Sequence, residues 1–312
     1  MTDSQQNPAQ PYDDEIDLRE VFRVLWAGKW LIGGITFAAA VIAVIVALMM
    51  PDVYRAEALL APNDQEKVGG LSALASQYGG LASLAGISLP TGSTDKTALG
   101  LEVLKSRKFI SEFIARHDIL VPLMAAEDWD ADSGELEINS KAYDVLAKKW
   151  IREVSSSREA KPSMQEAYDK FTNILSVSQD RESGLVRIAI EHYSPAIAKQ
   201  WVDWLVEDIN QTIMQRDVAE AEQAISYLNE QIESTSLADL QSVFFTLIEE
   251  QTKTVMLAKV SNEYLLKTLD PAVAPERKAR PKRSWIVIFA VILGGVFGVI
   301  GQYVRHSIIS AR

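Results

Sequence analysis

Two uncharged runs near opposite ends of the chain constrain what can lie between them. Leu31 to Met50 and Ser284 to Val304 contain no Asp, Glu, Lys or Arg. At ~1.5 Å rise per residue the second run reaches ~31 Å as a helix, enough to cross the hydrocarbon core of a bilayer. The expected architecture is two transmembrane helices, 31–50 and 284–304, bracketing a loop from Pro51 to Arg283. Whatever the chain does, that loop does it while tethered at both ends. Arg19, Arg23 and Lys29 lie among six acidic residues before the first run, and no small-residue cleavage signal is present. That combination predicts an uncleaved anchor.

Charge narrows the function classes. The loop holds 36 Asp and Glu against 26 Lys and Arg, and five of the basic residues sit in the short collar Glu276 to Arg283. An acidic body above a basic collar disfavours nucleic acid as a broad-surface partner. The collar reads as anchors beside a span, or as an attraction for lipid phosphates. The five basic residues of the two tails nearly balance the six at the loop edges, so charge bias leaves orientation open. The absence of cysteine removes thiol and disulfide chemistry, and His117, His192 and His306 have no ligand spacing around them. The expectation is no catalytic, cofactor-binding or metal-binding residue.

Along the chain, Leu18, Val21, Phe22, Leu25 and Trp26 repeat at helical spacing and predict a short amphipathic helix on the membrane after a disordered polar tail. Ala39, Ala43 and Ala47 share one face of the first span. Val53 to Leu60 alternates as a half-buried strand. The Gly-Gly-Leu patch from Val68 to Gly86 reads as a short helix or mobile loop. From Thr97 the sequence turns helical through Leu101, Leu104, Phe109, Phe113 and Ile114. Glu127 to Glu137 is expected to be a surface loop, and Ala142 to Val154 and Met164 to Phe171 to be short helices. Ile174 to Ser178 and Leu185 to His192, around Asp180 to Gly184, predict a β-hairpin that shares a sheet with the first strand.

Ser194-Pro195 is a helix start, and no Gly or Pro follows until Pro271. Trp201, Leu205, Ile209, Ile213, Ala221, Ile225, Leu228 and Ile232 form one stripe along a rod of ~57 Å. Ser236 and Asp239 would cap a second helix that runs on toward Leu266, giving a projecting helical hairpin over 196–261. Trp204, Val243 and Phe245 are left over as core or as contacts for a neighbouring subunit. With Ile225, Leu228 and Ile232, Trp204 and Phe245 are the candidate projection or oligomer contacts. Pro271, Pro275 and Pro281 would hold the link to the last span extended, as a coupling segment. Within that span Gly294, Gly298 and Gly301 fall on one face suited to close helix packing.

Several of these pieces occur together in a recognisable order. Glu15-Ile16-Asp17-Leu18 precedes the first span, and Tyr54-Arg55-Ala56-Glu57 follows it. Leu104-Lys105-Ser106-Arg107-Lys108-Phe109, Glu263-Tyr264, Asp270-Pro271-Ala272-Val273-Ala274-Pro275 and Pro281 come later. This order resembles the Wzz chain-length determinant family, the polysaccharide co-polymerases of bacterial inner membranes. Glu276 to Arg280, between the last two prolines, departs from that family's Pro-Lys-Pro-rich pattern. The resemblance implies cytoplasmic tails (1–30 and 305–312) and a periplasmic domain over 51–283. It implies an α+β membrane protein with an α/β base (51–195 and 262–283), a helical projection and a ring-like homo-oligomer. The implied task is to set how many repeats a Wzy-type polymerase adds to a lipid-linked O-antigen or related polysaccharide, without a catalytic residue and without the kinase of the longer relatives. A membrane-anchored adaptor in exopolysaccharide or other export, and a two-span receptor, are the rival readings.

Overall fold

A computed structural model describes residues 26, 28–63, 93–154, 159–234 and 238–310. The amphipathic helix expected over Leu18 to Leu25, the polar tail, the Gly-Gly-Leu patch and the Ser236 cap lie outside the described residues. The chain divides into two compact units, with boundaries after Met50 and after Arg280.

The first unit pairs α1 (Lys29–Met49) with α8 (Arg283–Ser310). Lys29–Met49 and Arg283–Arg305 are long and apolar enough to cross a membrane. Most of their large apolar side chains, Phe37 and Phe297 among them, are exposed. That outward greasiness suits a lipid solvent rather than water.

The second unit is built on an antiparallel sheet in the order β6 (Leu175–Gln179), β7 (Val186–His192), β1 (Tyr54–Pro62), β8 (Leu266–Asp270). Alternation along β1 sends Ala56, Ala58 and Leu60 inward while Glu57 faces solvent. Tyr54 stands opposite His192 and Leu60 opposite Val186, and a bulge between Leu59 and Leu60 adjusts the register to β8. Loop ends far apart in sequence therefore do share one sheet.

Helices cover the buried face. The helical run from Thr97 is two elements, α2 (Ser93–Lys105) and α3 (Arg107–Arg116), because the Ser106 hydroxyl accepts from the Phe109 amide and starts a new helix. Leu101, Leu104, Phe109, Phe113 and Ile114 are buried as their spacing predicts. They meet Phe171 of α5 (Met164–Ile174), which is entered through a Ser163 cap, and the first half of α6 (Pro195–Ser234). Trp201, Leu205, Ile209 and Ile213 of α6 complete this core. A short α4 (Leu120–Met124) adds Leu120 and Leu123.

Two expectations are corrected. Glu127 to Glu137 is not an unstructured loop but the hairpin of β2 (Ala126–Trp129) and β3 (Leu136–Ile138). Ala142 to Val154 is not a helix but a second small hairpin, β4 (Tyr143–Asp144) and β5 (Lys149–Trp150). In the latter, the Asp144 carboxylate accepts from the Leu146 and Ala147 amides at 2.9 Å, which closes a turn in place of a helical one. Tyr143 and Trp150 then pack edge to face across the strands. The helix α7 (Ala238–Val260) ends short of Leu266, and residues 261–265 lead back into β8, within the 262–283 stretch expected to return to the base.

One five-residue pattern makes two turns. In Asp130 to Gly134 and in Asp180 to Gly184 the final glycine amide donates to the aspartate carbonyl at 2.9 Å, and the serine hydroxyl donates to the aspartate carboxylate. Both glycines have left-handed backbones, at φ +72° and +70°. A Cβ on Gly184 would meet nothing within 4 Å, so the cost of adding one is conformational alone. Gly184→Ala is expected to lower the unfolding free energy by about 1 kcal/mol, read as a shift in the urea midpoint with unchanged slope.

Candidate functional site

The glycine face of α8 meets the small-residue face of α1. A Cβ on Gly294 would lie 2.9 Å from the Ala39 Cβ, and one on Gly298 would lie 3.0 Å from the Ile32 Cα, so neither position has room for a side chain. Gly301 lies at the edge of this contact, 4.0 Å from Ile35 by the same construction. Ala43 and Ala47 are buried on the same side of α1. Packing of this kind replaces the hydrophobic driving force that is missing between helices in lipid. Arg283 adds a polar tie, donating from Nε to the Ala47 carbonyl at 2.8 Å. That carbonyl belongs to the last turn of α1, where no amide of its own helix remains to pair it.

In the second unit, the segment after β8 is fastened to the entry of β1. Val53 donates its amide to the Arg280 carbonyl at 3.0 Å and accepts from the Ala279 amide at 2.8 Å. Lys278 pairs with Asp52 at 3.1 Å, and Arg280 with Glu191 at 3.2 Å. Two of the collar cations are therefore engaged by carboxylates of the body. Between these anchors Ala272 is buried in the core, Pro271 is exposed and Pro275 half-buried. Pro281 opens the segment that leads into α8 and is half-buried.

The two long helices run antiparallel, with Gln241 donating to the Ile232 carbonyl and Lys259 pairing with Glu222 at 3.8 Å. At ~1.5 Å per residue α6 spans ~60 Å, well beyond the strands it covers. Its buried residues end at Ala221, and Ile225, Leu228 and Ile232 are half-buried along the pair. Phe245 on α7 is 59% exposed, and Leu240, Val243 and Met256 are exposed too. Trp204 sits elsewhere: its indole stacks on the His117 ring, centroids 4.2 Å apart and planes 10° from parallel, against the core of the base. His117 and Arg116 also hold the buried Asp208 carboxylate at 3.0 and 2.9 Å.

A groove of about 940 Å³ runs beside the lower half of the helix pair, lined by α6, the end of α7, residues 261–263 and the start of the proline segment. At its base, buried Asn210 accepts from the Leu265 and Leu266 amides at 2.7 and 2.9 Å and donates to the Val206 and Leu266 carbonyls. One amide side chain thus joins β8 to α6. Next to it Tyr264 donates to Asp217 at 2.8 Å, while Lys96 lies 3.1 Å from the same hydroxyl and 2.7 Å from Asp217. Burial first, with the Asp217 hydrogen bond behind it, pushes the Tyr264 pKa up to about 12, so the phenol stays a donor. Among the described residues no group of three His, Asp or Glu is placed to hold a metal ion.

His192 was not singled out from the sequence, yet it joins three elements. The Ser194 amide donates to its Nδ1 at 3.1 Å, so the proton is assigned to Nε2, which lies 3.1 Å from the Pro122 carbonyl. Burial pushes its pKa down against the Pro122 hydrogen bond, with Lys170 adding to the fall. A lone histidine gives no pattern in sequence from which this could be read.

Residues 14–117 match the family model Wzz, chain length determinant protein. The resemblance read from the sequence is shown over that segment, which includes α1, β1, α2 and α3 and leaves the helix pair, the proline segment and α8 outside. No curated protein matches the chain. Among solved structures, a full-length bacterial polysaccharide co-polymerase is similar at 14% identity and a TM-score of 0.39, covering 94% of this chain and 99% of its own. A fragment of WzzB, a polysaccharide co-polymerase from Salmonella Typhimurium, is similar at 12% identity and a TM-score of 0.27, covering 74% of this chain and 100% of its own.

Two outcomes are expected. A Cβ on Gly295 would lie 3.9 Å from the Thr36 hydroxyl. A Thr36→Cys, Gly295→Cys pair should therefore oxidise to a disulfide within the chain, and adding Gly298→Ile should reduce its yield severalfold by prising the helices apart. The second outcome concerns His192, whose folded pKa lies below its ordinary value of ~6.5. Its contribution is complete above pH ~6.5 and is lost as pH falls toward the folded pKa, because the unfolded chain takes up the proton first. Urea titrations across that window should show stability falling with pH, and His192→Gln should flatten the fall.

Proposed function

We propose that this chain is a non-catalytic, Wzz-type regulator of polysaccharide chain length in a bacterial inner membrane. In this reading both tails are cytoplasmic and residues 51–283 are periplasmic. The protein acts as a ring-like homo-oligomer alongside a Wzy-type polymerase and sets how many repeats are added to a lipid-linked O-antigen or related glycan. The observation that carries this is the Wzz match over 14–117. Two apolar helices of membrane-spanning length at opposite ends of the chain support it.

The scaffold role draws support from side chains that one copy leaves uncovered. Phe245, Val243 and Met256 are exposed on α7, and apolar surface of that kind is stabilised when another copy covers it. Ile225, Leu228 and Ile232 keep the pair rigid in this account, and Trp204 positions its lower end. Gly294, Gly298 and Gly301 hold the spans together. Pro271, Pro275 and Pro281 keep the connecting segment extended, so that displacement of the base reaches the spans.

The test is the glycan-length ladder of a deletion strain complemented with this chain. The intact chain should restore a defined modal length, and Pro275→Ala with Pro281→Ala should broaden or shift it at equal protein level. A deletion that alters transcription and leaves glycan length unchanged would instead favour a receptor.

A further inference from the structure

The tip of the β4–β5 hairpin is built as a peg. Leu146 is 97% exposed and Val145 beside it is 58% exposed. A flexible loop would not hold two apolar side chains in water in one arrangement, but this turn is fastened. Asp144 accepts from the Leu146 and Ala147 amides, Tyr143 packs on Trp150, and Trp150 in turn packs against the core of the base. Lys148 and Lys149 follow, both exposed and without an ion pair among the described residues. The tip therefore presents aliphatic carbon flanked by two positive charges.

The groove beside α6 has the complementary character. Val206, Met214 and Val218 give it an apolar floor, and Glu207, Glu222 and Glu263 stand along it with Asp203. Among the described residues Lys259 is the one cation in its lining, at 3.8 Å from Glu222, and Lys199 engages Asp203 from outside. Glu207 is exposed and makes no ion pair among the described residues. A volume of about 940 Å³ accommodates a turn and its side chains. No residue from 143 to 150 lines this groove, so the molecule does not fill it with its own hairpin.

We propose that the β4–β5 tip of one copy inserts into the α6 groove of a second copy, with Leu146 on the apolar floor and Lys148 and Lys149 facing Glu207 and its neighbours. Peg and socket are different surfaces of one chain, so the contact is head to tail and each copy offers both halves, as a closed ring requires. The charges align the two surfaces, and the buried leucine holds them. This inference rests on the oligomeric part of the functional reading and names the residues that would make the contact.

The natural absence of cysteine makes the test clean. Two differently tagged full-length copies are co-expressed in membranes, one carrying Leu146→Cys and the other Gln215→Cys, both at exposed positions. A short bis-maleimide should give a product bearing both tags, and none when either cysteine is omitted. Lys148→Glu with Lys149→Glu in the first copy should lower the yield roughly fivefold, and Glu207→Lys in the second should restore it. An oligomer on native gels without the doubly tagged product would overturn this contact and leave the oligomeric reading standing. A monomer under all conditions would remove both. Tip-to-tip product from Leu146→Cys alone, or protection of that thiol by lipid in a monomer, would also overturn the proposal.

Discussion

Strand β1 is hydrogen-bonded along both edges, and the rest of the second unit depends on that. Its partners β7 and β8 come from the middle and the far end of the chain, and the Val53–Arg280 bridge continues the closure below β8. A segment tethered at both ends has to bring those ends together, and a backbone ladder does so while giving buried amides hydrogen-bond partners. The inward face of the ladder, small at Ala56 and Ala58 and larger at Leu60, Ile188 and Ile190, gives the long helix a surface to lie on. Without that surface the first half of the apolar stripe of α6 would be covered only by the neighbouring helices.

Polar groups decide the details that apolar packing leaves loose. Hydrophobic burial is non-directional, so Trp201, Leu205 and Ile209 would tolerate more than one rotation of α6. Asn210 does not, because its amide meets four backbone partners, and a helix turned by one residue would leave the Leu265 and Leu266 amides unpaired inside the protein. Asp208, held between Arg116 and His117, imposes the same kind of constraint from the other side. Together they place the end of α7, and with it the groove, relative to the sheet.

Much of the fold was legible because it rests on periodicity. The spans, the alternation of β1, the β6–β7 hairpin and the Ser194-Pro195 start of α6 all follow from local pattern. The two small hairpins were missed for different reasons. Asp130 to Gly134 carries the same Asp-x-x-Ser-Gly turn as Asp180 to Gly184, but the acidic, short strands around it hold one β-branched residue, Ile138, where Val177, Val186, Ile188 and Ile190 mark the other pair. In Ala142 to Val154 apolar and basic residues fall at helical spacing, and only the Asp144 turn and the Tyr143–Trp150 contact override that preference. Of the candidate site residues, the glycines of α8 could be placed on one face from spacing alone. That they face Ala39 and Ile32 of the same chain, and that Trp204 stacks on His117, could not.

By itself the sequence determined the parts that depend on local chain physics: which stretches suit lipid, which of the longer runs alternate as strands, and where the long helix starts. The tertiary structure alone decided the joins, among them Asn210 to the start of β8, Arg280 to Val53, and the groove that four separate segments line. These are contacts between residues distant along the chain, where no repeat or spacing connects one partner to the other, and their energies depend on burial that exists only once the core has formed.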